Sequence, residues 1–130
     1  MKNLLILLMI FISGLNADNT LNIYEAFQKA KETNRPVYYI VTSASCEHCY
    51  KHLKNTIIPN NELIRKDFIL AISDLSKGDK IPSDFPFDGY TPTAYIIAPS
   101  GELMISPLKG NFDENFLHQT LQKIYRAYGN

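Results

Sequence analysis

Three short apolar runs constrain this chain most: Val37–Val41 (VYYIV), Phe68–Ile72 (FILAI) and Ala94–Ala98 (AYIIA). Their β-branched and aromatic content favours strands. A strand with one wet face alternates apolar and polar residues, whereas a strand covered on both faces reads as a continuous apolar run. The runs therefore predict a sheet buried between two layers. A chain of 130 residues suggests one domain, so the segments between the runs must supply both covers.

Those segments have helical character. Leu21, Ile23, Tyr24, Phe27 and Ala30 recur at helical spacing over 21–34, with Asn19 or Thr20 placed to cap and Pro36 to stop the helix. A second helix is expected to begin at Cys46, with Tyr50, Leu53 and Ile57 along one face and Pro59 interrupting it. Asn60 or Asn61 then caps a short segment through Lys66, with Leu63 and Ile64 turned inward. Asp113 caps a last helix to about Tyr128, whose stripe is Phe116, Leu117, Thr120, Leu121 and Ile124. Pro99-Ser100-Gly101 marks a turn, from which Glu102–Ser106 returns as a fourth strand. Residues 76–91 form a loop rich in Gly, Pro, Asp and Ser, and its Phe85, Phe87 and Tyr90 predict that it packs on something. A helical crossover makes the first two strands parallel, and the hairpin adds antiparallel pairing. The expected fold class is α/β, a small mixed sheet of about four strands with helices on both faces.

Charge excludes one class of function. Lys plus Arg and Asp plus Glu both number 13, and no basic run stands out. A nucleic-acid partner needs clustered cations to release counterions. The N-terminus has a different character. Lys2 precedes the apolar run Leu4–Ile12, and the small residues Ser13, Gly14 and Ala17 follow. This layout fits a secretory signal peptide over 1–17 ahead of a domain over 18–130. The run is shorter than the ~20 residues of a membrane span. The expectation is an exported, periplasmic protein, membrane-anchored if the segment stays uncleaved.

Export changes the reading of the cysteines. There are two, Cys46 and Cys49. Outside the cytosol, cysteines commonly staple small domains, but a bridge closing so short a loop stabilises little. The motif Ser45-Cys46-Glu47-His48-Cys49-Tyr50 falls where a buried strand gives way to a helix. Unpaired N–H groups at a helix start stabilise a thiolate there. Cys46 is then expected to attack a substrate disulfide, and Cys49, within one turn, to resolve the mixed disulfide. His48 and Glu47 are expected to tune Cys46 in opposite senses, the imidazole lowering its pKa and the carboxylate raising it.

These residues resemble the thioredoxin superfamily over roughly 20–128. Its marks are Cys46-Glu47-His48-Cys49 after the first strand and Thr91-Pro92-Thr93 before the third, with Ser100-Gly101-Glu102 and Gly110 as lesser ones. The resemblance implies that Pro92 is cis and faces the cysteines, that Thr91 contacts substrate backbone, and that Cys46–Cys49 is a redox-active disulfide. It implies no cofactor. Thr91 is similar to the periplasmic Dsb isomerases, His48 to the Dsb oxidase, and the compact layout to the thioredoxin-like domain of the Dsb reductant transporter. The implied partners are protein thiols and disulfides and a membrane or periplasmic redox protein, with the chain a monomer. Two positions depart from the family. Ser45 stands where an aromatic, often Trp, precedes the first cysteine, and Ile40 stands where thioredoxins carry a buried Asp.

The direction of electron flow stays open, with a lean toward a reductant over an oxidase or isomerase. A different class of reading is a copper or zinc site built from Cys46, His48, Cys49 and His52, with His118 as a distant further ligand. Against it, His52 and His118 read as solvated helix residues. A third reading is a non-catalytic binding module using the aromatics of 76–91 together with Tyr38, Tyr39 and Tyr50.

Overall fold

β1 (Val37–Thr42) is buried along its whole length. Its side chains alternate between two cores. Tyr38 and Ile40 enter one, and Val37, Tyr39 and Val41 enter the other. The description covers residues 20–128 of a computed structural model. The expected signal segment 1–17 and the candidate cap Asn19 lie outside the described residues.

β2 (Ile69–Asp74) runs parallel to β1, with Val37 opposite Ile69 and Thr42 opposite Asp74. β3 (Thr93–Ile97) runs antiparallel on its other side, with Tyr39 opposite Tyr95. β4 (Leu108–Lys109) pairs with β3, giving the order β2-β1-β3-β4. One face is covered by α2 (Glu47–His52), α3 (Asn61–Asp67) and α4 (Glu114–Tyr128). α2 continues into a π-helical stretch over Leu53–Ile57, in which Ile58 N–H bonds Leu53 O at 2.8 Å. α1 (Ile23–Thr33) covers the other face with Ile23, Ala26 and Ala30.

α1 leaves part of its face open, and the loop over 78–92 closes it. Phe85 stacks on Phe27 at 6.0 Å and stands edge-on to Tyr39 at 5.6 Å and Tyr95 at 5.1 Å. Aromatic pairs of this geometry add to the area they bury. Ile81 and Phe87 pack against the same core, and Asp88 pairs with Lys109 on β4. Tyr38, Tyr39, Phe85 and Phe87 thus serve the core, whereas Tyr90 and Tyr50 are exposed.

Several local expectations are corrected. α1 starts at Ile23 with Asn22 as its cap, Oδ1 accepting from Glu25 N at 2.9 Å, rather than with Asn19 or Thr20. Leu21 cannot join the helix because its N–H and C=O bond Leu70 O and Ile72 N of β2, both at 3.3 Å. Tyr24 faces solvent. On α2 the inward face is Cys49 and His52, not Tyr50, which is 62 % exposed. On α3 Ile64 is buried and Leu63 is not, and on α4 Phe116 is exposed while Leu117, Leu121 and Ile124 fill the core. The expected strand Glu102–Ser106 reduces to contact over Glu102, Leu103 and Met104, with Ala98 N bonding Glu102 O and Met104 N bonding Ile96 O, both at 2.8 Å. Pro107 has no N–H to extend a ladder, and regular pairing resumes only at Leu108.

Two buried polar groups test this packing. The Tyr38 hydroxyl is buried without a hydrogen-bond partner, and burial pushes its pKa up. An unsatisfied buried group destabilises, so Tyr38→Phe is expected to raise unfolding stability by about 1 kcal/mol, read as a higher denaturant midpoint at unchanged slope. His52 is 1 % exposed, edge-on to Phe112 at 4.4 Å, with Nδ1 3.3 Å from Asn111 Oδ1. Burial lowers its pKa, against smaller opposing effects of Asn111 and Phe112. Its folded value lies below its unfolded one, so between the two the unfolded state binds more protons. Stability is therefore lost as pH falls from about 6.5 and levels off below the folded value. Denaturation across that range checks this, and His52→Gln flattens that part of the profile.

Candidate active site

The site forms where β1 ends. The chain turns through Ser43, Ala44 and Ser45, held by Ser43 Oγ to Ser45 Oγ at 3.0 Å and by Ala44 N donating to Ser76 Oγ at 3.2 Å. Cys46 is extended, with φ −100° and ψ 114°, and caps α2. Its Sγ accepts from Cys49 N at 3.2 Å, in the position where a Ser or Asp oxygen ordinarily caps a helix. Cys46 is partly exposed, whereas Cys49 is 1 % exposed, one turn inside. Both are free thiols.

The facing wall comes from the segment before β3. The Cys46 thiol donates to Thr91 O at 3.5 Å, the Thr91–Pro92 peptide bond is cis, and Pro92 is buried. This segment is fixed on both sides. Thr93 Oγ1 donates to Tyr90 O at 2.7 Å, and Gly110 N donates to Pro92 O at 2.8 Å. Gly110 has φ 93°, a conformation that costs other residues energy. The structure thus brings Cys46, Cys49, Thr91 and Pro92 together.

The two thiols are displaced in opposite senses. Burial pushes the Cys46 pKa up, but hydrogen bonds from Cys49, from Thr91 and from the backbone N–H groups of Cys49 and His48 outweigh it, leaving the thiol below its ordinary value. Burial and the neighbouring Cys46 push Cys49 above its ordinary value, against smaller effects of the Thr42 and Thr91 side chains and the Ser43 backbone. An outer thiol that ionises readily beside an inner one that holds its proton suits sequential thiol–disulfide exchange.

Glu47 and His48 are both exposed. Glu47 pairs with Lys51 at 3.3 Å, and such an exposed pair contributes little. His48 acts on the Cys46 sulfur through its backbone N–H. The copper or zinc set is not assembled. His52, expected to be solvated, is buried against Asn111 and Phe112, because the inward face of α2 passes through it. His118 lies on α4 beside Asn60 Oδ1 at 2.9 Å and Glu114 Oε1 at 3.6 Å. Among the described residues no three His, Cys, Asp or Glu side chains gather as metal ligands. At Ile40 the chain is apolar and fully buried, packed in the first core.

Sequence reasoning passed over Thr42. It is 4 % exposed, and its side chain opposes the upward push that burial gives the Cys49 thiol. The available signal was a polar residue closing a wholly apolar buried run one turn before the cysteines.

No protein-family model matches the chain, and no curated protein matches it. Solved structures do. The oxidoreductase DsbH is 13 % identical with a TM-score of 0.61, covering 84 % of this chain and 83 % of its own. A thioredoxin from Thermus thermophilus is 18 % identical with a TM-score of 0.61, covering 82 % and 85 %. The DsbD C-terminal domain of Neisseria meningitidis in its oxidised form is 15 % identical with a TM-score of 0.58, covering 81 % and 98 %. With its strand order, flanking helices and cysteine-capped α2, the chain has the thioredoxin-like fold that these Dsb-type proteins and thioredoxins share.

Proposed function

We propose that this protein is an exported thiol–disulfide oxidoreductase acting on protein substrates through Cys46 and Cys49. The observation that carries this reading is a partly exposed Cys46 sulfur that caps α2 and faces the cis Thr91–Pro92 segment, one helical turn from a buried Cys49. In the reducing direction the Cys46 thiolate attacks one sulfur of a substrate disulfide. That bond breaks, a mixed disulfide forms, and the departing sulfur takes up a proton. Cys49 then gives up its proton and attacks the Cys46 sulfur, releasing the second substrate thiol. The protein is left with a Cys46–Cys49 disulfide, and two electrons have passed to the substrate. A membrane or periplasmic redox partner restores the dithiol by the reverse exchange. Thr91 and Pro92 form the wall against which substrate backbone lies. The compact layout, similar to the Dsb reductant domain, favours the reductant direction over oxidase or isomerase. Export rests on the N-terminal pattern of Lys2, Leu4–Ile12 and Ala17, and on the presence of a periplasmic thioredoxin, SoxS from Paracoccus pantotrophus, among the structures of similar fold (TM-score 0.53).

Thiolate absorbance is expected to show Cys46 titrating below the ordinary value of about 8.5; an unshifted curve overturns its assignment as nucleophile. His48→Ala is expected to move that curve by less than about half a pH unit, because a backbone N–H survives the change. Equilibration with glutathione buffers is expected to give a potential nearer about −270 mV than about −120 mV. Cys46→Ser is expected to abolish exchange, and Cys49→Ser to trap a mixed disulfide visible by mass.

A further inference from the structure

The wall opposite Cys46 hangs on little regular structure. It precedes β3, whose outer partner β4 is two residues long, with Thr93 opposite Lys109 and Ala94 opposite Leu108. Gly110 extends this short ladder by donating its N–H to Pro92 O at 2.8 Å. The next two residues leave the sheet and are tied to α2 and its π-helical continuation. Asn111 Oδ1 accepts from His52 Nδ1 at 3.3 Å, and Phe112 O accepts from Thr56 Oγ1 at 2.8 Å. The Phe112 ring stands edge-on to the His52 imidazole at 4.4 Å. His52 and Thr56 are both buried. Burying a polar side chain is costly unless it is hydrogen-bonded, and an apolar residue would fill either place without that cost. What these two supply is a pair of donors aimed at one short segment. A circuit of contacts results. It runs from Cys46 along α2 to His52, across to Asn111, through Gly110 N to Pro92 O, and back from Thr91 O to the Cys46 thiol at 3.5 Å.

We propose that His52 and Asn111 are positioning residues for polypeptide substrates, a strut that fixes the Thr91–Pro92 backbone at its distance from the Cys46 sulfur. Both act through Gly110 and Pro92, not on the sulfurs themselves. The proposal rests on the oxidoreductase reading above and adds to it two residues outside the Cys-x-x-Cys and Thr-Pro motifs. It separates substrates by size. A protein disulfide is laid along the wall, so its binding depends on the strut. A small disulfide needs only the Cys46 thiolate, whose cap from Cys49 N lies wholly within α2.

The test compares two disulfides on the full chain. Insulin is turned over with dithiothreitol supplying the electrons, and dithiobis(nitrobenzoate) is reduced in a single turnover by the pre-reduced chain. Asn111→Ala, at an exposed position, removes the acceptor. It is expected to raise the KM for insulin about fivefold, the weight of one hydrogen bond, with kcat within about twofold. The rate with dithiobis(nitrobenzoate) is expected to stay within about twofold of the wild-type rate, because the Cys46 cap is untouched. Asn111→Asp, which keeps an acceptor oxygen, restores the insulin KM. His52→Phe, which keeps a ring and removes the donor, is expected to reproduce the rise and to add nothing to it in combination with Asn111→Ala. An unchanged insulin KM in Asn111→Ala overturns the proposal. So does an equal slowing with both disulfides, which marks a general loosening of the fold, or an Asn111→Asp protein as impaired as the alanine variant. A double variant whose defect is the product of the two single ones also overturns it. A wild-type chain that reacts rapidly with dithiobis(nitrobenzoate) but leaves insulin at the dithiothreitol background removes the wall on which the proposal depends, and overturns it too. A wild-type chain at background with insulin and no faster than glutathione with dithiobis(nitrobenzoate) overturns the oxidoreductase reading itself, which separates the two failures.

Discussion

The structure depends on the burial of β1 on both faces. Each covering layer rests on alternate residues of one strand, Tyr38 and Ile40 below, Val37, Tyr39 and Val41 above. A strand held this way has little freedom to slip, because a one-residue shift would exchange its two side-chain sets between differently shaped cores. Its end is therefore placed with the precision of the core. Thr42 and the turn into Cys46 sit at that end. The cysteine pair takes its position from the packing of Tyr38 through Val41 together with the turn contacts of Ser43, Ala44 and Ser45 and the bond from Cys46 to Thr91 O.

The chemistry comes from a depth difference built on this frame. One turn of helix carries a sulfur from a partly exposed capping position to a buried one. Backbone N–H groups reach the outer sulfur, while burial governs the inner one. Neither effect needs a charged side chain nearby. Beside them, the exposed Glu47 is drawn to Lys51, and His48 reaches the outer sulfur through its backbone N–H.

The parallel crossover was legible from the apolar runs and the helical segment between them, and the meeting of Cys46 with Thr91 and Pro92 from the resemblance to the thioredoxin superfamily. The errors share a physical origin, since they occur where tertiary contacts overrode a local pattern. Leu21 fitted the helical period but pairs with β2. Tyr50 fitted a stripe that the structure rotates toward Cys49 and His52. Glu102–Ser106 read as a strand until Pro107 and the fold of the returning chain limited its pairing. His52 looked like a surface ligand because nothing local reveals that Asn111 and Phe112 pack over it. Thr42 was missed because a threonine ending a strand is common, and its effect falls on a thiol beyond the turn.

The cover over the α1 face has a consequence for how the protein fails when heated. The wall opposite Cys46 is the tail of the segment that Phe85 anchors among Phe27, Tyr39 and Tyr95. This segment is irregular and is held largely by side chains. Segments of that kind open at lower free energy than the sheet beneath them. Thermal inactivation then begins as a local detachment, in which Thr91 leaves the thiols while the helices and strands stay folded.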